Sequence, residues 1–469
     1  MRKCRLAIIK SVNTGVYAKT LQMVFLGNSN SSLCGVDVME PLNKDKIIRK
    51  AAKVFPRLTK CVRSIKKNKT FRSFFELYLK KRKRFMVNEN EVKQYAFFQV
   101  KNKHVFFGYY DLSQFNYDGS KMLVHTVCSQ AKPNSHYADI GYFDLTNKGF
   151  HIISQTQAWC WQQGARLRWH PLEVSKVLYN DVSDGNYVTK VVDINSNKTE
   201  IISAALYDVS NDFMYGVSLN FSRLERLRPG YGYTALTDLT KDDKAPNNDG
   251  LFLIELASGE KKLITSLKEL AIEHDPNLSS EHYINHVSFC PDGRKFIFFH
   301  ISVNTEKQSR RKVDLCLYDI NTETIDLIES DYNTSHYAWR SGDELLTTVK
   351  NKEGGSSYVL YDLLNKQKTV ICHNGLKRDG HPSFLHTNSG FISDTYPDES
   401  NFQNVFLYDM NKNETFFISE FYHKPVKSSE MRCDLHPRLW CGKGREIITV
   451  DTTCKSGLRK IFMMSANAE

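Results

Sequence analysis

One short strand signature recurs seven times along this chain and limits its fold more than any other feature. A hydrophobic run closes on an acid followed by an aliphatic residue: YFDL at 142–145, VVDI at 191–194, FLIEL at 252–256, LYDI at 317–320, LYDL at 360–363 and LYDM at 407–410, with a weaker copy, IFMM, at 461–464. The copies sit in units of about 45–60 residues, too long for a strand-helix repeat and right for a four-stranded propeller blade. From His104 onward each unit opens with a hydrophobic strand and a turn, such as NYDG at 116–119, HPLE at 170–173, VSND at 209–212, CPDG at 290–293, RSGD at 340–343, TNSG at 387–390 and GKG at 442–444. Asp-Gly and its relatives supply hairpin geometry. A second strand, the signature strand and a fourth strand follow. The pattern predicts an all-β chain, a seven-bladed β-propeller over residues 104–469, with one short helix at 266–273. Two stacked sandwiches would not explain the recurring third strand.

Histidines mark four of these units at one position. His286 (HVSFCPDG), His336 (HYAWRSGD), His381 (HPSFLHTN) and His436 (HPRLWCGK) each stand three residues before the residue that begins a hydrophobic strand. The first strand of a blade lines the central channel, so equivalent positions become neighbours around one axis. Four imidazoles gathered there are a metal-binding set, although a histidine held in a turn hydrogen bond would leave the same trace. The aligned position is Arg166 in unit 2, Ala204 in unit 3 and Leu112 in unit 1. Asp379, Asp394 and Asp434 lie close by in sequence, as carboxylates that orient metal-bound imidazoles do.

Two further segments offer ligand chemistry. SRLERLRPGYGY at 222–233 concentrates arginines and tyrosines in an insertion, suited to an anionic, ring-shaped ligand such as an acidic sugar. Trp159, Trp161, Gln162 and Gln163 precede Arg166 and could stack on and hydrogen-bond a sugar. A solvated loop and buried aromatic packing account for the two segments equally well. No P-loop, GxGxxG, GxSxG or HExxH is present, which removes nucleotide-driven, Rossmann and serine-hydrolase chemistry.

The formal charge of +12 is concentrated in residues 1–100, which carry 23 Lys and Arg against 6 Asp and Glu. Residues 1–103 therefore read as a basic, partly helical extension. An apolar stripe through Ile48, Ala51, Phe55, Leu58, Val62 and Ile65 faces away from a lysine- and arginine-rich side, and Lys80 to Arg84 follow. Packing on the main domain, docking of residues 45–85 on an anionic membrane surface and nucleic-acid binding are the alternatives. No base-reading module supports the last, so no nucleic-acid partner is expected. Eleven scattered cysteines without CxxC and no signal-like apolar run point to a cytoplasmic setting, peripheral at the inner membrane if the basic face docks there.

The blade grammar, with its channel-mouth histidines and nearby Arg and Gln residues, resembles the oligogalacturonate lyases and related seven-bladed propellers. RPGYGY, DGHP, DTYP and RCDLHPR are also similar to segments of uncharacterised propellers associated with bacterial surface-polysaccharide synthesis. The resemblance covers residues 104–469. It implies a divalent metal, manganese first with zinc or iron as alternatives, held by histidines and a glutamine and bound to a uronate carboxylate. Here a fourth histidine stands where the glutamine is expected.

The expectation is a metal-dependent enzyme that cleaves acidic oligosaccharide or polysaccharide by β-elimination. His286, His336, His381 and His436 would hold the metal, Arg166, Arg228 and Arg432 would meet the carboxylate, and His170 or Tyr231 would serve as base. A non-catalytic scaffold in surface-polysaccharide assembly and a metal-assisted glycoside hydrolase are the competing readings.

Overall fold

The computed structural model describes Val36–Asp37, Phe85–Val87 and residues 94–467, apart from 306–310, 351–354, 372–375, 427, 444 and 454–456. The amphipathic stretch expected within residues 45–85 lies outside the described residues, save for the short strand Phe85–Val87.

Seven antiparallel sheets follow one another along the chain as the blades of a propeller. Blade 1 runs from Lys103–Phe106 to Gly149–Thr156, blade 2 from Arg168–Trp169 to Thr199–Ile202 and blade 3 from Asp208–Val209 to Lys261–Ser266. Blade 4 runs from Glu281–Phe289 to Thr324–Glu329, blade 5 from Asn333–Trp339 to Gln367–Ile371 and blade 6 from Ser383–Phe384 to Glu414–Tyr422. Blade 7 begins with Arg438–Gly442 and Arg445–Thr453. Second strands such as Lys295–Val303 are buried along most of their length, because both faces of an inner strand pack on neighbouring blades. Outer strands such as Gln367–Ile371 are largely exposed.

The recurring acid has a local cause. Asp144, Asp193, Asp319, Asp362 and Asp409 each accept a backbone N–H two or three residues downstream, from Thr146, Asn195, Asn321, Asn365 and Asn411, at 2.8–2.9 Å. Such Asx turns start the hairpin to the fourth strand. A left-handed residue completes each one, at Lys148, Asn197, Glu323, Lys366 and Asn413, with φ between 52° and 59°. The sequence signature is thus a turn-forming device.

The ring closes with chain from upstream of the expected start at 104. Blade 7's third strand, Arg459–Asn467, pairs with Gln94–Phe98, which supplies the missing fourth strand. Phe97 packs on Phe462 with ring centroids 4.8 Å apart. Strand Phe85–Val87 adds to the edge of blade 6, and Val36–Asp37 adds to Gln94–Phe98. Among the described residues two short α-helices interrupt the β architecture, α1 (Phe221–Leu227) within blade 3 and α2 (Leu267–Ile272) after it. The second matches the helix expected at 266–273, with Ser266 and Glu269 forming a capping box. No helix among the described residues is long and apolar enough to cross a membrane.

Candidate active site at the channel mouth

The four histidines arrive on, or just before, the innermost strands of blades 4 to 7. His286 sits at a bulge in Glu281–Phe289, and His336 at one in Asn333–Trp339. His381 and His436 immediately precede the first strands of blades 6 and 7. Arg166, His286 and His436 share a left-handed backbone, with φ of 51°, 54° and 47°. This conformation is costly outside glycine, and it turns each side chain out of the strand pattern.

The rings come together. Their centroids are 6.4 Å apart for His286 and His336, 4.0 Å for His336 and His381, and 4.4 Å for His381 and His436. All four are buried. A segment that sequence reasoning missed stands among them. Gly108, Tyr109, Tyr110 and Asp111 leave the innermost strand of blade 1 after Phe106, and the strand line resumes at the Phe115–Met122 bridge. Tyr109 lies 4.9 to 6.5 Å from every one of the four imidazoles, centroid to centroid. Gly108 permits this excursion: its φ is 118°, and a Cβ there would meet the Gln163 backbone at 2.9 Å. Leu112, expected at the blade 1 position, instead belongs to the apolar cluster of blades 1 and 2. The visible signal was the break in strand alternation between Phe107 and Leu112.

Hydrogen bonds orient three of the rings. His336 Nδ1 lies 3.0 Å from Asp379 Oδ1, and His381 Nδ1 lies 2.8 Å from Asp394 Oδ1. A carboxylate only accepts, so both Nδ1 atoms carry the proton. His436 Nδ1 donates to the Gly108 carbonyl at 2.7 Å. The lone pair of His436 is therefore on Nε2, which is buried with no partner among the described residues. His286 Nδ1 and the Tyr109 hydroxyl are likewise buried and unpartnered. Such atoms cost free energy unless a ligand satisfies them.

Electrostatics divide the set. Burial holds His286 and His436 well below the ordinary histidine pKa, with neighbouring imidazoles and arginines adding to it. Burial also opposes charge on His381, but Asp394, Asp434 and Asp379 outweigh it and raise its pKa. Asp379 is held far below the usual carboxylate range although burial works against this, because His336 and the hydroxyls of Ser335 and Thr348 bind it.

One subset has metal-ligand spacing. The donor atoms of His381, His436 and Asp434 lie within 4.8 Å of one another. Imidazole nitrogens held by carboxylate and carbonyl partners, a buried carboxylate and an unpartnered Nε2 are the donor chemistry a divalent ion uses, so these residues fit one. His336 and His286 adjoin this subset without joining it at that spacing. Asp434, expected only as an orienting group, is thus a candidate ligand itself.

The remaining site expectations separate. Arg166 is fully engaged: its guanidinium grips Asp111 at 3.1 and 2.9 Å, Nε donates to the Tyr207 carbonyl at 2.7 Å, and the group lies 4.1 Å over the Tyr207 ring. A ligand carboxylate would have to displace Asp111, so Arg166 fastens the tyrosine segment and does not wait for substrate. His170 is away from the cluster. Its Nδ1 accepts the N–H groups of Leu172 and Glu173 at 3.1 and 3.0 Å, and its ring rests on Phe213. It is a turn residue at the far end of the blade 2 inner strand, which removes it as a base. Trp159 and Trp161 are buried packing.

Arg228, Tyr231 and Arg432 do reach the cluster. Tyr231 is edge-on to His286 at 6.1 Å, and the Arg228 guanidinium lies 4.7 Å over the Tyr231 ring. Arg228 makes no ion pair among the described residues. Arg432 holds Asp434 with two hydrogen bonds, of 2.7 and 2.6 Å, beneath which Tyr396 stacks. Glu225, on the last turn of α1, accepts the N–H groups of Gly230 and Gly232. Burial pushes its pKa up to about 7 against those bonds.

No family model and no curated protein matches this sequence. Solved structures do match by shape. An oligogalacturonate lyase in complex with manganese superposes with a TM-score of 0.57 at 13% identity, covering 81% of this chain and 95% of that one. An oligogalacturonate lyase from Vibrio parahaemolyticus gives 0.57 at 10% identity, covering 81% and 96%. At such identities the likeness shows the fold: this chain is a seven-bladed β-propeller of the kind seen in oligogalacturonate lyases.

Proposed function

We propose that the channel mouth is the active site of a metal-dependent enzyme that cleaves acidic oligosaccharide or polysaccharide by β-elimination at a uronate. The observation that carries this reading is the unpartnered Nε2 of His436 beside His381 and Asp434, all buried and within 4.8 Å. The solved lyase of the same fold, described as a manganese complex, supports manganese ahead of zinc or iron.

Elimination at a uronate takes the C5 proton onto a base, forms the C4–C5 double bond and breaks the C4–O bond, whose oxygen leaves with a proton. A divalent ion held by His381, His436 and Asp434 would supply positive charge for the carboxylate as negative charge grows on it. The other parts belong to this chain. Among the described residues Arg228 offers a guanidinium with no carboxylate partner, free to meet the uronate carboxylate. Arg432 stays on Asp434 and fixes its direction. Tyr231 is the candidate base that remains beside the cluster, and burial keeps bulk water from the reacting atoms.

Metal analysis and an ultraviolet assay test the reading together. Purified protein is expected to hold one divalent ion per chain and to generate the absorbance of an unsaturated uronate from an acidic oligosaccharide. Saturated products would favour the hydrolase, and a chain that holds no metal under saturating manganese would favour the scaffold.

A further inference from the structure

The segment 228–232 leaves α1 and lies against the His286 side of the histidine cluster. Its ends are fixed, with Leu227 in the core and Tyr233 stacked on Phe221 at 4.3 Å. Between them the chain hangs from few bonds. Glu225 Oε2 accepts from Gly230 N at 2.9 Å and from Gly232 N at 3.1 Å. The Gly230 carbonyl accepts from Gln162 N at 3.2 Å. The amide of Gln162 in turn donates to the carbonyls of Glu430 and Arg432, tying together the far rim. Gly230 rests against Glu430 so closely that a Cβ would lie 3.1 Å from its Cα.

Held in this way, the segment seats Tyr231 against His286 and Tyr109, at 6.1 and 6.5 Å. His336, His381 and His436 are only 2–3% exposed, with Tyr109, Tyr110 and Tyr396 packed on them, while Tyr231 closes the His286 side. An oligosaccharide cannot reach His286 while this cover is in place. No sheet ladder holds the cover: opening it breaks these hydrogen bonds and withdraws the buried Tyr231 from the core cluster it shares with Leu227, with the blades left intact.

We propose that residues 228–232 are a lid over the His286 side of the histidine cluster and that Glu225 is the positioning residue that latches it, by accepting the N–H groups of Gly230 and Gly232. The closed lid delivers Arg228 and Tyr231 to the site, and the open lid admits substrate. The inference rests on the cluster being the reacting site, but its test uses no metal and no turnover.

Histidine access is the direct readout. The full chain is treated with diethylpyrocarbonate, and modification of each histidine is followed by mass spectrometry, with exposed His136 and His274 as internal standards. Glu225→Ala should speed modification of His286, the ring that Tyr231 packs on, by about tenfold through local opening. Glu225→Gln, whose amide oxygen still accepts both N–H groups, should restore the slow rate. Tyr231→Ala removes the cover and spares the latch, and should also expose His286. The proposal is overturned if Glu225→Ala leaves the His286 rate at the wild-type level, or if Gln is as fast as Ala. It is also overturned if hydrogen exchange shows protection lost throughout the blades in place of the lid alone. Should Glu225→Ala fail to fold, an unchanged rate in Tyr231→Ala overturns it. Failure to bind metal would sink the proposed activity and leave this result standing.

Discussion

Asp379 stands two residues before His381 in the chain, yet its carboxylate holds His336 of the preceding blade, 3.0 Å from Nδ1. His381 is held instead by Asp394 from the second strand of its own blade. Each imidazole is thus aimed by a neighbour the fold supplies. Gly380 makes the second arrangement possible, because a Cβ there would strike the Asp394 carbonyl at 2.1 Å.

This relationship predicts the effect of Asp379→Asn. The substitution keeps the shape but allows His336 the other tautomer. If His336 assists the metal, affinity for manganese falls by about 10–100-fold, the usual loss for an orienting partner. Isothermal titration against wild type reads it. Asp434→Asn should cost more, since it alters a candidate ligand.

Arg166 and Arg228 separate stability from function. Arg166→Ala strands the Asp111 carboxylate, which Tyr337 also donates to, in a buried position. The expected cost is about 3–5 kcal/mol in urea unfolding. Arg228→Ala breaks no ion pair among the described residues and should leave unfolding within about 1 kcal/mol of wild type, while activity on acidic oligosaccharide collapses. Equal destabilisation by both would remove the distinction.

Blade 7 depends on its upstream strand. A chain lacking residues 1–98 leaves the edge of Arg459–Asn467 unpaired, and an open edge invites association. It should melt at a lower temperature and aggregate, as followed by calorimetry and light scattering.

Acid should weaken the fold through two neutral histidines. Burial lowers the pKa of His125 to about 4, and burial with Arg459 lowers that of His104 to about 4. His125 Nε2 accepts the Ala165 N–H and His104 Nδ1 accepts the Arg459 N–H, bonds that protonation at those atoms destroys. The unfolded chain takes up these protons near its ordinary histidine pKa of about 6.5. Stability contributed by these groups is full above that pH, falls between about 6.5 and 4, and falls no further below. His125→Gln should flatten part of that slope.

The fold was legible in the sequence because its repeat has a local cause. Five of the third-strand acids accept a backbone N–H of the turn that follows them, so the signature survives wherever that turn does. The histidine register was legible for the same reason, being tied to the start of a hydrophobic strand. Partners distant in sequence were not legible. Arg166 meets Asp111 across 55 positions, and no local pattern announces that pairing. Gln94–Phe98 lay inside a segment read through its charge, and only the want of a fourth strand in the last blade hinted at it. Tyr109 was hidden because its segment breaks the period on which strand reading depends.

His381, His436 and Asp434 are the proposed ligands of a divalent ion. Anomalous scattering from crystals soaked in manganese tests this. One peak is expected, bonded to His436 Nε2, His381 and Asp434, that disappears in His381→Ala/His436→Ala crystals with the blades unchanged. No peak at the channel mouth under saturating manganese, or one that survives the double substitution, would contradict it.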